Sequence, residues 1–294
     1  MRPLWIVSLL SALAVLLSGC GERLPRLSAT QPSTTQQSIE PPAPRVKGDW
    51  EFSATSNVAG STPLRFAGSI DSQTDPNQGS TDFKGVLHLD GSKCFDRVMA
   101  AGLTGTATAD EGSATITTSD GQVVTLTGVF AAQSPTGVYT NMMFTGTYSI
   151  SGGCASGDQG DVTGININPS FSYPWWGSFM SSGGASFDLS TPEGSDGLNM
   201  TPSASLNGVF GITGDIATHS PCFTKGTLSS GAFPSGSFIL GRSVVLEGHA
   251  SDSVLRIEGN LSDDGGVVRG NYTISGGNCT DSGTVFLEAD PWSY

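Results

Sequence analysis

Two stretches of this chain are near copies of one another. Phe144-Thr-Gly-Thr-Tyr-Ser-Ile-Ser-Gly-Gly-Cys154 recurs as Val268-Arg-Gly-Asn-Tyr-Thr-Ile-Ser-Gly-Gly-Asn-Cys279, with one residue inserted before the second cysteine. The echo extends upstream. Gly85 to Phe95 matches Gly208 to Phe223 with an insertion, and Val123 to Gly128 lies where Val254 to Gly259 lies. The order is the same in both halves, so the body reads as one unit used twice, copy 1 over 48–168 and copy 2 over 169–294. At roughly 120 residues each copy is long enough to bury its own core.

The repeated stretch fixes the fold class. In Val268-Arg269-Gly270-Asn271-Tyr272-Thr273-Ile274, and again in Leu255 to Leu261, apolar or small residues alternate with polar ones. A period of two is the mark of a half-buried antiparallel strand. Between such runs stand Asp-Gly, Asp-Asp-Gly-Gly and Pro-Thr-Gly, which are hairpin chemistry. With 40 glycines and 13% charged residues, no helical pattern follows the N-terminal segment. The expectation is all-β: two tandem antiparallel meanders, each an up-and-down, lipocalin-like barrel, with a β-sandwich as the alternative. Mid-strand glycines on the inward parity (Gly128, Gly146, Gly259, Gly270) favour the barrel, whose strands must bend.

The N-terminus reads differently. Arg2 precedes an uncharged apolar run from Leu4 to Leu17, which ends in Leu17-Ser18-Gly19-Cys20. At about 14 residues the run is too short to span a hydrocarbon core, which needs roughly 20. Leu17 to Cys20 resembles the lipobox of bacterial lipoproteins. The resemblance implies a signal peptide over 1–19, cleavage before Cys20, and lipidation of that cysteine with palmitate-type chains. It also implies a cell-envelope location and a membrane as partner; Gly21 in place of Asp points to the outer membrane if the cell has one. Fatty-acyl chains contribute about 0.8 kcal/mol per buried CH₂, and two or more make a stable anchor. Residues 20–47, rich in Pro, Ser, Thr and Gln, read as a disordered tether.

Setting Cys20 aside leaves four of the five cysteines, which allow three connectivities. Each copy owns two at similar spacing, so Cys94–Cys154 and Cys222–Cys279 is the economical pairing, and a location outside the cytoplasm permits it. Clustered metal ligands and Cys-x-x-Cys are both missing from the sequence.

Catalytic signatures are also missing: no Gly-x-Ser-x-Gly, Gly-x-Gly-x-x-Gly or His-Glu-x-x-His occurs. His88, His219 and His249 occupy no matching positions in the two copies and read as solvated. Most carboxylates sit where turns want them, as in Asp90-Gly91, Asp120-Gly121, Asp196-Gly197 and Asp263-Asp264-Gly265. Asp158 and Asp161 bracket a Gly-Asp loop after Cys154 and are the candidates for calcium, weighed against a simple turn; no metal and no cofactor is expected. Trp175, Trp176 and Trp292 are the candidate binding aromatics, for a glycan or a protein partner, weighed against packing at the ends of the copies. Each copy carries 12 acidic against 4 basic side chains, which disfavours nucleic acid.

From Trp50 onward the body resembles Gly/Thr-rich β-repeat lipoproteins of bacteria, which carry Tyr-x-Ile-x-Gly-Gly-Cys followed by a Gly-Asp loop. Tyr148 to Cys154 with Asp158 to Asp161 fits that pattern, and Tyr272 to Cys279 departs from it by Asn278. This resemblance implies location and fold and transfers no catalytic residue. The expected function is a lipid-anchored envelope protein with a non-enzymatic binding, structural or surface-interaction role. One alternative is a periplasmic or surface hydrolase using carboxylates. The other is a carrier holding an apolar ligand in a barrel cavity.

Overall fold

The computed structural model describes residues 41–58, 60–90, 94–95, 99–132, 141–167, 174–190, 197–231, 234–277 and 279–289. Cys20, Trp292 and the signal peptide lie outside these residues.

Copy 1 is a closed meander. β1 (Gly48–Ser56), β2 (Leu64–Gln73), β3 (Ser80–Asp90), β4 (Met99–Thr108), β5 (Gly112–Thr118), β6 (Val123–Ala132), β7 (Met142–Ser151) and β8 (Gln159–Ile167) pair in chain order. β8 then pairs back onto β1, from Asp49↔Ile167 to Ser56↔Gly160. The alternation read from the sequence sets the inward face. Val124, Leu126 and Phe130 of β6 are buried, as are Phe144, Tyr148 and Ile150 of β7. Side chains fill the interior: the Phe130 ring lies 4.8 Å from Phe144, 5.5 Å from Trp50 and 5.8 Å from Phe83.

Copy 2 keeps the plan with one break. Its strands are β9 (Trp175–Ser181), β10 (Ser186–Asp188), β11 (Leu198–Leu206), β12 (Val209–Ser220), β13 (Phe223–Leu228), β14 (Phe238–Leu240), β15 (Ser243–His249), β16 (Ser253–Leu261), β17 (Val267–Gly276) and β18 (Asp281–Ala289). As in copy 1, the first strand pairs with the last, β9 with β18. At the other end, however, β9 pairs with the short β10 and not with β11. β12 runs on past β11, and its Thr218 makes a single bridge to Leu189 just after β10. Copy 2 is therefore an antiparallel sheet of ten strands whose circuit is completed by a bridge instead of a ladder.

Both disulfides follow the expected pairing. Cys94–Cys154 and Cys222–Cys279 span 60 and 57 residues, with Cα atoms 5.8 and 5.1 Å apart. Closing loops of that length stabilises a domain by about 4 kcal/mol on the chain-entropy account.

Two expectations need correction. Residues 43–47, assigned to the tether, are held on copy 1. The Gln73 side chain accepts from the Val46 and Lys47 amides and donates to the Pro44 carbonyl, and Val46 is buried. Trp50 Nε1 donates to the Val46 carbonyl at 2.7 Å, so the extended segment satisfies a core indole. His88, expected to be solvated, is 8% exposed, with Nε2 at 2.8 Å from the Asn207 carbonyl of copy 2.

That His88 contact belongs to a seam between the copies. The outer face of β1–β3 meets two hairpin tips of copy 2. Ala67 packs with Val209, Phe238, Leu240 and Val245. The Gly241 amide donates to Asp49 Oδ1 at 3.1 Å, and the Arg242 amide to Glu51 Oε2 at 2.9 Å. Arg65 bonds that same Glu51 oxygen at 2.6 Å and reaches Ser243 Oγ at 3.2 Å. The β11–β12 tip is Asn207-Gly208, both at positive φ, the two-residue turn that suits a hairpin. A Cβ on Gly208 would stand 2.3 Å from the Val86 carbonyl, so only glycine lets this tip seat on β3.

Candidate functional site

Copy 2 has a strand face that corresponds to the seam face of copy 1. Counted back from Ser56 on β1 and Ser181 on β9, which face Gly160 and Gly283 in the same register, Trp50 corresponds to Trp175 and Glu51 to Trp176. The two copies use this strand face differently. In copy 1 it carries Glu51 and is covered by the β14–β15 tip. In copy 2 it carries Trp176, 51% exposed.

Trp175 and Trp176 therefore have opposite fates, as neighbours on a strand must. Trp175 is 1% exposed in the core and Trp176 points outward. Trp176 lies opposite Glu288 of β18, while Ser178 lies opposite both Phe286 of β18 and Asp188 of β10. The resulting groove encloses about 450 Å³, lined by Trp176, Asp188, Leu189, His219, Phe286 and Glu288. Met180, 61% exposed, extends the same face. Arg269 of β17 sits over the Phe286 ring, its guanidinium carbon 5.3 Å from the centroid. The groove thus offers one broad aromatic platform bordered by two carboxylates, a histidine and a hydroxyl.

A second constellation occurs in both copies. In copy 2, Ser181 Oγ donates to Asp281 Oδ1 at 2.6 Å and the Tyr272 hydroxyl donates to Oδ2 at 2.7 Å. In copy 1, Ser56 donates to Asp158 Oδ1, with Tyr148 buried beside them. Asp158 is thus engaged by Ser56, while Asp161 stands exposed on β8 opposite Thr55 and Thr147. Among the described residues no group of three or more His, Cys, Asp or Glu side chains could hold a metal.

Electrostatics identify this trio as a latch. Burial, then Asp281, pushes Tyr272 up to about 12. Burial also works against the Asp281 charge, but the Ser181 and Tyr272 hydroxyls and the Ser282 amide outweigh it and hold that carboxyl below its ordinary value. Tyr148 is raised as well, by burial first. In copy 2 a phenol held protonated and a carboxyl held ionised exchange no proton near neutrality, so the trio ties the first strand to the last two; in copy 1 the Ser56–Asp158 bond joins the first strand to the start of the last.

The remaining candidates are structural. His219 lines the groove, and His249 lies 2.9 Å from Glu247 Oε1. Asp120 fits the turn reading. The Thr118 hydroxyl and the Gln122 amide bond it and hold its carboxyl below the ordinary value. Asp188, Phe286 and Glu288 were not singled out by the sequence, yet one signal was present. Within Val285-Phe286-Leu287-Glu288 the strand parity sends Phe286 outward, where a large ring is out of place.

No protein-family model and no curated protein matches this chain.

Proposed function

We propose that this is a lipid-anchored cell-envelope protein whose role is binding, with the Trp176 groove as its binding surface. The observation that carries this reading is the unequal use of one strand face. Copy 1 spends that face on the seam, whereas copy 2 presents an exposed indole there, opposite Glu288. Exposed aromatic side chains in a partly polar setting are the usual anchors of recognition.

The two alternatives have less support. A carrier needs a hollow interior, and rings pack the barrel of copy 1. A carboxylate hydrolase needs an acid with a raised pKa in its cleft. Asp49, a carboxyl raised well above its ordinary value, is buried in the seam against Gly241 and Glu51. The anchor rests on Cys20 and the lipobox resemblance. No helix among the described residues is long and apolar enough to cross a membrane.

The test separates anchor from groove. Residues 1–20 are replaced by an ordinary cleavable secretory leader, so that any remaining envelope association comes from the body alone. The unlipidated protein is expected to retain saturable association with envelope fractions, and Trp176→Ala is expected to abolish it. Equal association of the two unlipidated forms would contradict the groove. A native protein recovered wholly in the soluble fraction would contradict the anchor.

A further inference from the structure

We infer that the seam between the copies is a pH-controlled joint, closed in acid and loosened as the pH rises, with Asp49 as its sensor. Strand parity is the starting point. Trp50 points into the core of copy 1, so Asp49 and Glu51 on either side of it point outward, where water ordinarily solvates a carboxylate. Copy 2 prevents this at Asp49, which is 3% exposed beneath the β14–β15 tip. Its Oδ1 accepts from the Gly241 amide at 3.1 Å, and its Oδ2 is buried without a hydrogen-bond partner. An ionised carboxylate so placed exchanges its hydration for a single bond, which costs far more than burying the neutral acid.

The charges around Asp49 do not compensate. Glu51 on the same strand adds a like charge, and Arg65 of β2 is turned to Glu51 Oε2 at 2.6 Å. Arg242 of copy 2 pairs with Asp263 at 2.8 Å. Also on β2, Asp71 accepts from Ser69, the residue that faces Asp49 in the ladder. β8 places Ile167 opposite Asp49, and β3 contributes His88, whose Nε2 lies against the Asn207 carbonyl. Burial therefore dominates and pushes the Asp49 carboxyl well above its ordinary value; Glu51 adds to the rise, and the Gly241 amide and Arg65 oppose it.

Opening the seam relieves the cost. Once the tip lifts, Asp49 meets water and returns toward 3.8, so the closed form holds a proton that the open form releases. This contribution to closure is complete below 3.8 and is lost as the pH rises through the closed-form value. Over that interval the opening constant grows by up to about tenfold per pH unit.

The rest of the seam is suited to movement. Its apolar contact is small, Ala67 against Val209, Phe238, Leu240 and Val245. Beside it a cleft of about 280 Å³ runs between His88 and Ala100 of copy 1 and Ser203 and Asn207 of copy 2. Arg242 Nε and Asn141 Oδ1, at the same boundary, are buried without hydrogen-bond partners. Interfaces of this kind within a chain allow relative motion, whereas large apolar ones do not.

The experiment is hydrogen–deuterium exchange on the detergent-solubilised full chain at about pH 4.5 and about pH 7.5, read as protection factors so that the intrinsic pH dependence cancels. Peptides covering 238–246 contain the Gly241 and Arg242 amides and report the seam, with β5 (Gly112–Thr118) as the reference. Wild type is expected to lose protection at 238–246 by about tenfold or more between the two conditions, with β5 unchanged. Asp49→Asn cannot ionise and should keep the acid value at both. Asp49→Ser replaces it if Asp49→Asn lacks the wild-type circular dichroism or either disulfide. Equal protection of the wild type in the two conditions overturns the inference. A loss shared by β5 overturns it as well, because that is global unfolding. A loss in the Asp49 variant as large as in wild type also overturns it, by moving the sensor to another seam group such as His88.

Discussion

The Tyr272 hydroxyl donates to Asp281 across 2.7 Å, whereas the corresponding Tyr148 hydroxyl is buried beside Asp158 without a formed hydrogen bond. The two copies thus share a latch but tighten it differently. Tyr272→Phe should destabilise the protein by about 1.5–3 kcal/mol, the usual worth of a hydrogen bond to a charged acceptor. Tyr148→Phe removes an unsatisfied buried hydroxyl and should be neutral or slightly stabilising. Urea denaturation of both variants measures the contrast. The pH dependence has a definite sign. The folded value of Tyr272, about 12, lies above the ordinary 10.0, so its stabilisation is complete below pH 10.0 and lost as pH rises through 12. Tyr272→Phe should remove that alkaline step.

Asp49 gives a second pH signature. Its carboxyl is buried against the Gly241 amide, with Glu51 and Arg65 nearby, and burial raises its pKa well above 3.8. A raised folded value means that its contribution is complete below 3.8 and declines as pH rises through the folded value. Asp49→Asn keeps an oxygen for the Gly241 amide and cannot ionise. Thermal unfolding should therefore show it more stable than wild type at neutral pH, by about 2–4 °C, with the difference vanishing in acid.

The cross-strand glycine pairs supply a third prediction. Gly128 faces Gly146, and Gly259 faces Gly270. A Cβ on Gly146 would stand 2.1 Å from the Thr127 carbonyl, and one on Gly270 2.1 Å from the Glu258 carbonyl. Gly146→Ala and Gly270→Ala should each cost about 1–3 kcal/mol as the strands are forced apart. Gly102→Ala, on an exposed strand position with nothing within 4 Å of a new Cβ, should cost nothing measurable in the same denaturation experiment.

These glycines also show how far the sequence could be read. Their inward parity and the alternation around Tyr148 and Tyr272 are local properties, and local properties locate strands, bends and disulfides. The seam is not local. Asp49 and Glu51 look like ordinary acidic residues of a first strand until Gly241 and Arg242, almost two hundred residues away, are brought against them. The latch was half visible: Asp158 and Asp281 follow matching cysteines, but their serine partners lie at the far end of each copy, so a Gly-Asp loop suggested a turn or an ion instead. The groove required knowing that β9 lies beside β18 and that β10 stops short of β11. Only then do Trp176, Asp188 and Glu288 share a face.

Hydroxyl-radical footprinting of Trp176 in living cells, compared with the purified protein, tests the functional account most directly. Val129, 42% exposed on β6 of copy 1, is the internal reference. An occupied groove predicts that Trp176 is protected in cells while Val129 labels equally in both settings. Equal labelling of Trp176 in cells and in solution would contradict the account.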